Sequence, residues 1–193
     1  TDAIVAVDQI TGILLSDVVT ASASNGQFDT KDVGTGKTVT AAIATSGTDA
    51  ANYSFNTTAT DLADISQAAL TVSITASDKM YDATTDATVV VSGISGILGS
   101  DDVSANASNG QFDNKDVGTG KTVIADIATA GTDAANYSFN ATATDLADIS
   151  QASLTVSITA SDKMYDATTD ATVVVAGISG ILGSDDVSAN ASN

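Results

Sequence analysis

The chain has 193 residues, a formal net charge of −18 and no Glu, Arg, His, Cys, Trp or Pro. Without His and Cys, the imidazole base, the thiol nucleophile and the usual zinc and iron ligand sets are excluded, and no spacing of Asp, Lys, Ser, Thr or Tyr singles out a catalytic pair. We therefore expect no enzyme, and the negative charge argues against nucleic acid and anionic membrane surfaces, whose binding calls for clustered Lys and Arg.

No apolar run approaches the ~18 residues that would cross a bilayer, so no membrane insertion is expected, and no charged-then-apolar leader opens the sequence. A secretion signal is expected to lie outside these residues. Apolar residues make up 43% of the chain, enough for folded cores.

The sequence repeats with a period of 84. Tyr81 recurs as Tyr165, Phe28 as Phe112, and the run Ala51 to Phe55 as Ala135 to Phe139. Residues 67–109 and 151–193 differ only at Ala69/Ser153 and Ser92/Ala176. This divides the chain into the C-terminal part of one repeat (1–66), a complete repeat (67–150) and the N-terminal part of a third (151–193). Such a period exceeds the ~20–50 residues of solenoid coils and suits a small autonomous domain.

In chain order, Asp32 to Thr38 is the first copy of "DVGTGKT", which returns as Asp116 to Thr122. A phosphate-cradling loop needs a first glycine where Lys31 and Lys115 stand, and a helix after the loop rather than alternating residues. The stretch is read as a tight hairpin turn. Leu70 to Thr75 alternates as a strand, and further strands are expected at Ala87–Val91, at Val103–Ala107 and around Gln111-Phe112. Gly93 to Gly99 has no assignment beyond a short turn or loop with two apolar anchors.

Val123 to Ile127 alternates, and the copies differ where Thr40 matches Ile124 and Ala42 matches Asp126, so those positions are expected to face outward. Tyr137 to Thr142 sets aromatics against polar groups as another strand. Helix should be close to nil. Six or seven short strands at this spacing predict an all-β fold of tandem immunoglobulin-like β-sandwich domains.

The best candidate for an ion is Ser100-Asp101-Asp102, repeated as Ser184-Asp185-Asp186, since calcium wants several carboxylate oxygens. Asp101, Asp102, Asp185 and Asp186 are thus a tentative calcium set, with solvated Asp-rich turns as the alternative. Asp61, Asp64, Asp145 and Asp148 near the joins form a second candidate set. Tyr81 and Tyr165 read as core or corner residues. Lys79, Lys115 and Lys121 are expected to pair with nearby carboxylates at the surface.

Ser77-Asp78-Lys79-Met80-Tyr81-Asp82-Ala83-Thr84-Thr85 resembles the opening D-K-x-Y-D-G-T-T of the YDG repeats of large bacterial surface proteins. Lys115 to Lys121, Ala135-Asn136-Tyr137 and the join Ala147 to Val156 look similar too. The resemblance implies an extracellular adhesin at the bacterial cell surface, with these repeats as stalk modules. The partners implied are neighbouring repeats of the chain or copies of the same protein. Alternatives are a calcium- or carbohydrate-binding module and a filament subunit assembled by strand complementation. Two departures stand out: Ala83 replaces the usual glycine, so its turn must avoid left-handed angles or carry strain, and the joins at Ser66-Gln67 and Ser150-Gln151 lack proline.

Overall fold

The computed structural model describes residues 2–192. Its strands in chain order are β1 (Asp2–Ala3), β2 (Thr20–Phe28), β3 (Gly34–Ser46), β4 (Thr58–Ile65), β5 (Ala68–Ala69), β6 (Thr71–Ala76) and β7 (Lys79–Met80). These are followed by β8 (Val89–Ser95), β9 (Ser104–Phe112), β10 (Gly118–Ala130), β11 (Tyr137–Ser138), β12 (Thr142–Ser150), β13 (Thr155–Ala160) and β14 (Val173–Ser179). Helix among the described residues is confined to two three-residue 3-10 turns, Ala50–Asn52 and Ala134–Asn136. The fold is all-β, as expected.

The chain falls into two units. One holds the residues up to Ala69 together with Asp133–Ser138; the other holds Leu70–Thr132 and the residues from Phe139 onward.

In the second unit, a sheet of order β7-β12-β10-β9 faces the two-stranded sheet β6-β8. Alternation explains the packing: in β6, Val72 and Ile74 turn inward while the intervening Thr and Ser stay exposed. They meet Ala125 and Ile127 of β10 in one cluster, flanked by Val89, Val91, Ala105 and Ala107. Phe112, Val123, Ala147 and Ile149 form a second cluster beneath Tyr81 and Ala87. Each large side chain buried this way contributes about 1.5–3 kcal/mol before ordering costs. Ile124 and Asp126 are exposed, so the outward assignment taken from the copies holds.

Several sequence expectations need correction. The strand expected at Gln111-Phe112 is not separate, because β9 runs unbroken from Ser104 to Phe112 past a bulge between Asp126 and Ile124 of its partner. Gly110 makes that crossing possible: a Cβ there would sit 2.5 Å from the Ala87 carbonyl oxygen and 2.8 Å from Val89 Cγ1. Tyr137 to Thr142 is not one strand: β11 covers Tyr137–Ser138, and Thr142 opens β12. β11 stops because the Asn140 side chain accepts the Val72 N–H (2.8 Å) and donates to the carbonyls of Val72 (3.0 Å) and Thr142 (2.8 Å), taking the place of a backbone ladder.

The strand that follows, β12, was not anticipated. Gly93 to Gly99 closes β8 at Ser95 and then turns, with Asp101 N–H donating to the Leu98 carbonyl at 3.2 Å. The glycines of "DVGTGKT" are not the hairpin turn. That turn precedes Gly118, and Gly118 to Lys121 is a bulge in β10. Gly120 takes φ +61°, and its N–H donates to Asp148 Oδ1 at 2.8 Å.

The first unit contains one four-stranded sheet, β1-β2-β3-β4, and the short parallel pair β5-β11. The same bulge recurs, with Gly36 N–H on Asp64 Oδ1 at 2.8 Å.

Candidate functional site

The signature run builds a lysine cage. β7 lies parallel to the end of β12, with Lys79 opposite Ile149 and Met80 opposite Ser150. The Lys79 side chain is only 16% exposed, and its ammonium donates to Asp82 Oδ1 (2.8 Å), the Thr84 carbonyl (3.0 Å) and the Asp86 carbonyl (2.9 Å) and lies 5.5 Å from the Phe112 ring centroid. Asp82 also accepts the Thr84 N–H and hydroxyl, and these bonds, led by the one from Lys79, hold its carboxyl down at about 2. Such tight folding requires a left-handed residue in the middle, and Ala83 has φ +66°. Of the two outcomes posed by the missing glycine, the turn carries the strain. Lys163, Asp166 and Thr168 repeat the same bonds around Ala167 at φ +59°.

The cage fixes the next residue. Tyr81 N–H donates to the Ser150 carbonyl at 2.8 Å, which aims the half-buried ring toward the hairpin loop between β9 and β10. That loop is stiffened from within. Lys121, 9% exposed, donates to Asn114 Oδ1 (2.7 Å) and Asp113 Oδ1 (2.9 Å), while Asn114 Oδ1 also accepts the Asp116 N–H (3.0 Å). The loop thereby presents Lys115, whose ammonium lies 5.4 Å from the Tyr81 ring centroid.

Asp185 completes the arrangement from the third repeat, on a turn in which its N–H donates to the Leu182 carbonyl at 3.2 Å. Tyr81 donates its hydroxyl proton to Asp185 Oδ2 at 2.6 Å, and Lys115 donates to the Tyr81 oxygen (2.8 Å) and to Asp185 Oδ1 (2.7 Å). The Asp185 carboxylate, then the Tyr81 oxygen, push the Lys115 ammonium up; Lys115, then Tyr81, hold Asp185 below the ordinary carboxylate range. A pocket of about 360 Å³, lined by Val117, Leu154, Ile181 and Val187 among others, borders this clasp. Chemically the three groups form a charge-assisted tie between successive repeats.

Of the sequence-derived ion set, two residues make other bonds. Asp185 is engaged by Lys115 and Tyr81, and Asp102 Oδ2 accepts the N–H (3.2 Å) and hydroxyl (3.3 Å) of Thr132. Asp101 is half-buried and Asp186 is exposed. Of the second set, Asp145 accepts the Ala76 N–H (2.9 Å), Asp61 that of Leu62 (2.8 Å), and Asp64 and Asp148 serve the two bulges. Among the described residues, no group of three or more His, Cys, Asp or Glu gathers as a metal site. In the four of that second set the short aspartate arm accepts from a backbone N–H.

In the first unit, the segment Asp133–Ser138 brings comparable bonds. Lys31 donates to Asp133 Oδ1 at 2.8 Å, and Asn136 Oδ1 accepts the Val33 N–H at 2.9 Å. Tyr53 donates its hydroxyl to Asp17 Oδ2 at 2.6 Å, the main cause of a raised Tyr53 pKa. Sequence reading paired the lysines with carboxylates but missed the role of Tyr81, because its partner lies 104 residues away.

No curated protein and no solved structure matches the chain. A family model described as the YDG domain matches twice, over residues 1–60 and 66–145. With the caged Lys79, Tyr81 and the bulge from Gly118 to Lys121 all falling within the second matched segment, the chain belongs to the YDG domain family.

Proposed function

We propose that these repeats are structural stalk modules of a secreted bacterial cell-surface adhesin or extracellular fibre, working as inert immunoglobulin-like spacers joined in series. The observation that carries this reading is the Tyr81–Lys115–Asp185 clasp, in which three hydrogen bonds tie Tyr81 and Lys115 of one repeat to each other and to Asp185 of the next. A near-identical period supports it as well, since reach then scales with copy number without redesign. Partners under this reading are neighbouring repeats and copies of the same protein.

The test has three arms. Asp185→Asn should loosen residues 151–193 from the complete repeat, read as faster, salt-sensitive amide exchange at Tyr81 and Lys115; unchanged exchange would overturn the clasp as the tie between repeats. Melting with calcium and with chelator should superimpose; a calcium-dependent rise in Tm, or retention on a glycan array, would replace the spacer reading with the ligand-binding one. Antibodies raised against the chain should label intact producing cells, and labelling only after lysis would overturn the surface assignment.

A further inference from the structure

The bulge in β9 is built from Asn109-Gly110, and the one in β2 from Asn25-Gly26. Ser108 pairs with Asp126 and Gln111 with Ile124, so Asn109 and Gly110 together stand opposite Ala125; in the same way Asn25 and Gly26 stand opposite Ala41. Both asparagines take φ +52°, in the left-handed region that asparagine tolerates better than most residues with a side chain. Both glycines are buried, and a Cβ on Gly26 would lie 2.7 Å from the Ala3 carbonyl oxygen, as one on Gly110 would crowd that of Ala87. The bulge therefore asks for asparagine followed by glycine, and these are the two places where the sequence has that pair.

The pair has a chemistry of its own. With no side chain to shield it, the glycine amide nitrogen can give up its proton to solvent and attack the asparagine side-chain carbonyl carbon. As that N–C bond forms, the bond from the same carbon to the carboxamide nitrogen breaks, ammonia leaves with a proton from solvent, and a cyclic imide closes. Water then opens the ring at either carbonyl, giving aspartate or isoaspartate, and nothing is oxidised or reduced. Asn25 and Asn109 are both exposed, so water reaches both.

The two sites differ across the strand. Asn109 Nδ2 donates to Asp126 Oδ2 at 2.8 Å, which pins the carboxamide and sets a negative charge close to a nitrogen that must itself become negative. One period earlier Ala42 stands in place of Asp126 and offers no carboxylate. We propose that Asn25 and Asn109 are sites of spontaneous conversion to aspartate and isoaspartate, and that the Asp126 side chain guards Asn109 while Asn25 is left to react. This inference goes beyond the stalk reading and does not depend on it.

The local sequence does not confound the comparison, because Ala23 to Asp29 is identical to Ala107 to Asp113. After the folded chain has aged in mildly alkaline buffer, it is denatured and cut with trypsin. Residues 1–31 then carry Asn25 as their only asparagine, and residues 80–115 carry Asn109 with Asn106 and Asn114, which fragmentation tells apart. Mass spectrometry should find the acid at Asn25 about fivefold faster than at Asn109, the factor that one hydrogen bond to an exposed carboxylate supplies. In urea the two rates should converge. Asp126→Ala should bring Asn109 up to the rate of Asn25, and Ala42→Asp should slow Asn25 by the same factor; the second variant decides the matter if the first fails to fold. Equal rates in the folded chain, a rate at Asn25 indifferent to Ala42→Asp, or no conversion at either site would each overturn the proposal.

Discussion

Replacing Ala83 with glycine should stabilise the unit that holds it. A non-glycine residue in the left-handed region costs about 1–2 kcal/mol, and Ala83 sits there at φ +66° because Asp82 and Thr84 close the cage around Lys79. Against this, glycine enlarges the entropy of the unfolded chain by about 0.4–1 kcal/mol. The methyl is half-buried, and it faces Gly183, whose own Cβ would lie 3.2 Å away. Losing that partial contact costs about 0.4 kcal/mol, half a buried methylene. The balance is a gain of about 0.5 kcal/mol, or about 2–4 °C for a domain of this size.

Differential scanning calorimetry and urea titration of Ala83→Gly beside Ala83→Val measure it. Valine, β-branched and far less tolerant of positive φ, should lose about 1–3 kcal/mol. If glycine lowers Tm by more than 2 °C, or valine is neutral, the strained-turn account of the signature is wrong.

Val123 is fully buried between Phe112, Ala147 and Ile149, so Val123→Ala should cost about 2–3 kcal/mol from two lost methyls and the void they leave, readable by urea denaturation. Asn140→Ala removes three bonds to β6 and the segment beside it and should cost about 1–3 kcal/mol; amide exchange should speed up first at Val72. Asp82, Asp113, Asp145 and Asp185 all titrate below the ordinary value near 3.8 when folded, so their stabilisation is complete above that value and is lost as the pH falls, through about 2 for Asp82. Lys115 is raised instead, so its contribution holds below its unfolded value of about 10.4 and fades only as pH climbs past it. Tm should therefore be level from about pH 5 to 9 and fall on both sides; a maximum near pH 4 would contradict these assignments.

How far the sequence could be read depended on whether side chains followed the simple rule for their strand. β6 and β10 did, with apolar residues inside, and the differences between copies marked the outward face of β10 at Ile124 and Asp126. β12 broke the rule at two positions. It turns Ala143, Asp145, Ala147 and Ile149 inward and leaves Leu146 61% exposed, because Asp145 must reach the Ala76 N–H. A pattern with leucine outside and aspartate inside hides a strand from any hydropathy rule. The glycine run misled in a similar way, since a bulge held by Asp148 and a hairpin turn ask for the same residues. The clasp was illegible for another reason: Lys115 and Asp185 are 70 positions apart, and no local pattern encodes which carboxylate a lysine will find.

The lysines have one more consequence. The chain contains six basic residues, Lys31, Lys37, Lys79, Lys115, Lys121 and Lys163, and each makes an ion pair with an aspartate. Trypsin cuts only after lysine or arginine and needs a stretch of chain free to enter its cleft. A folded molecule of this kind offers that enzyme six sites, every one tethered, so digestion must wait for a cage to open and its rate becomes a direct readout of how often that happens.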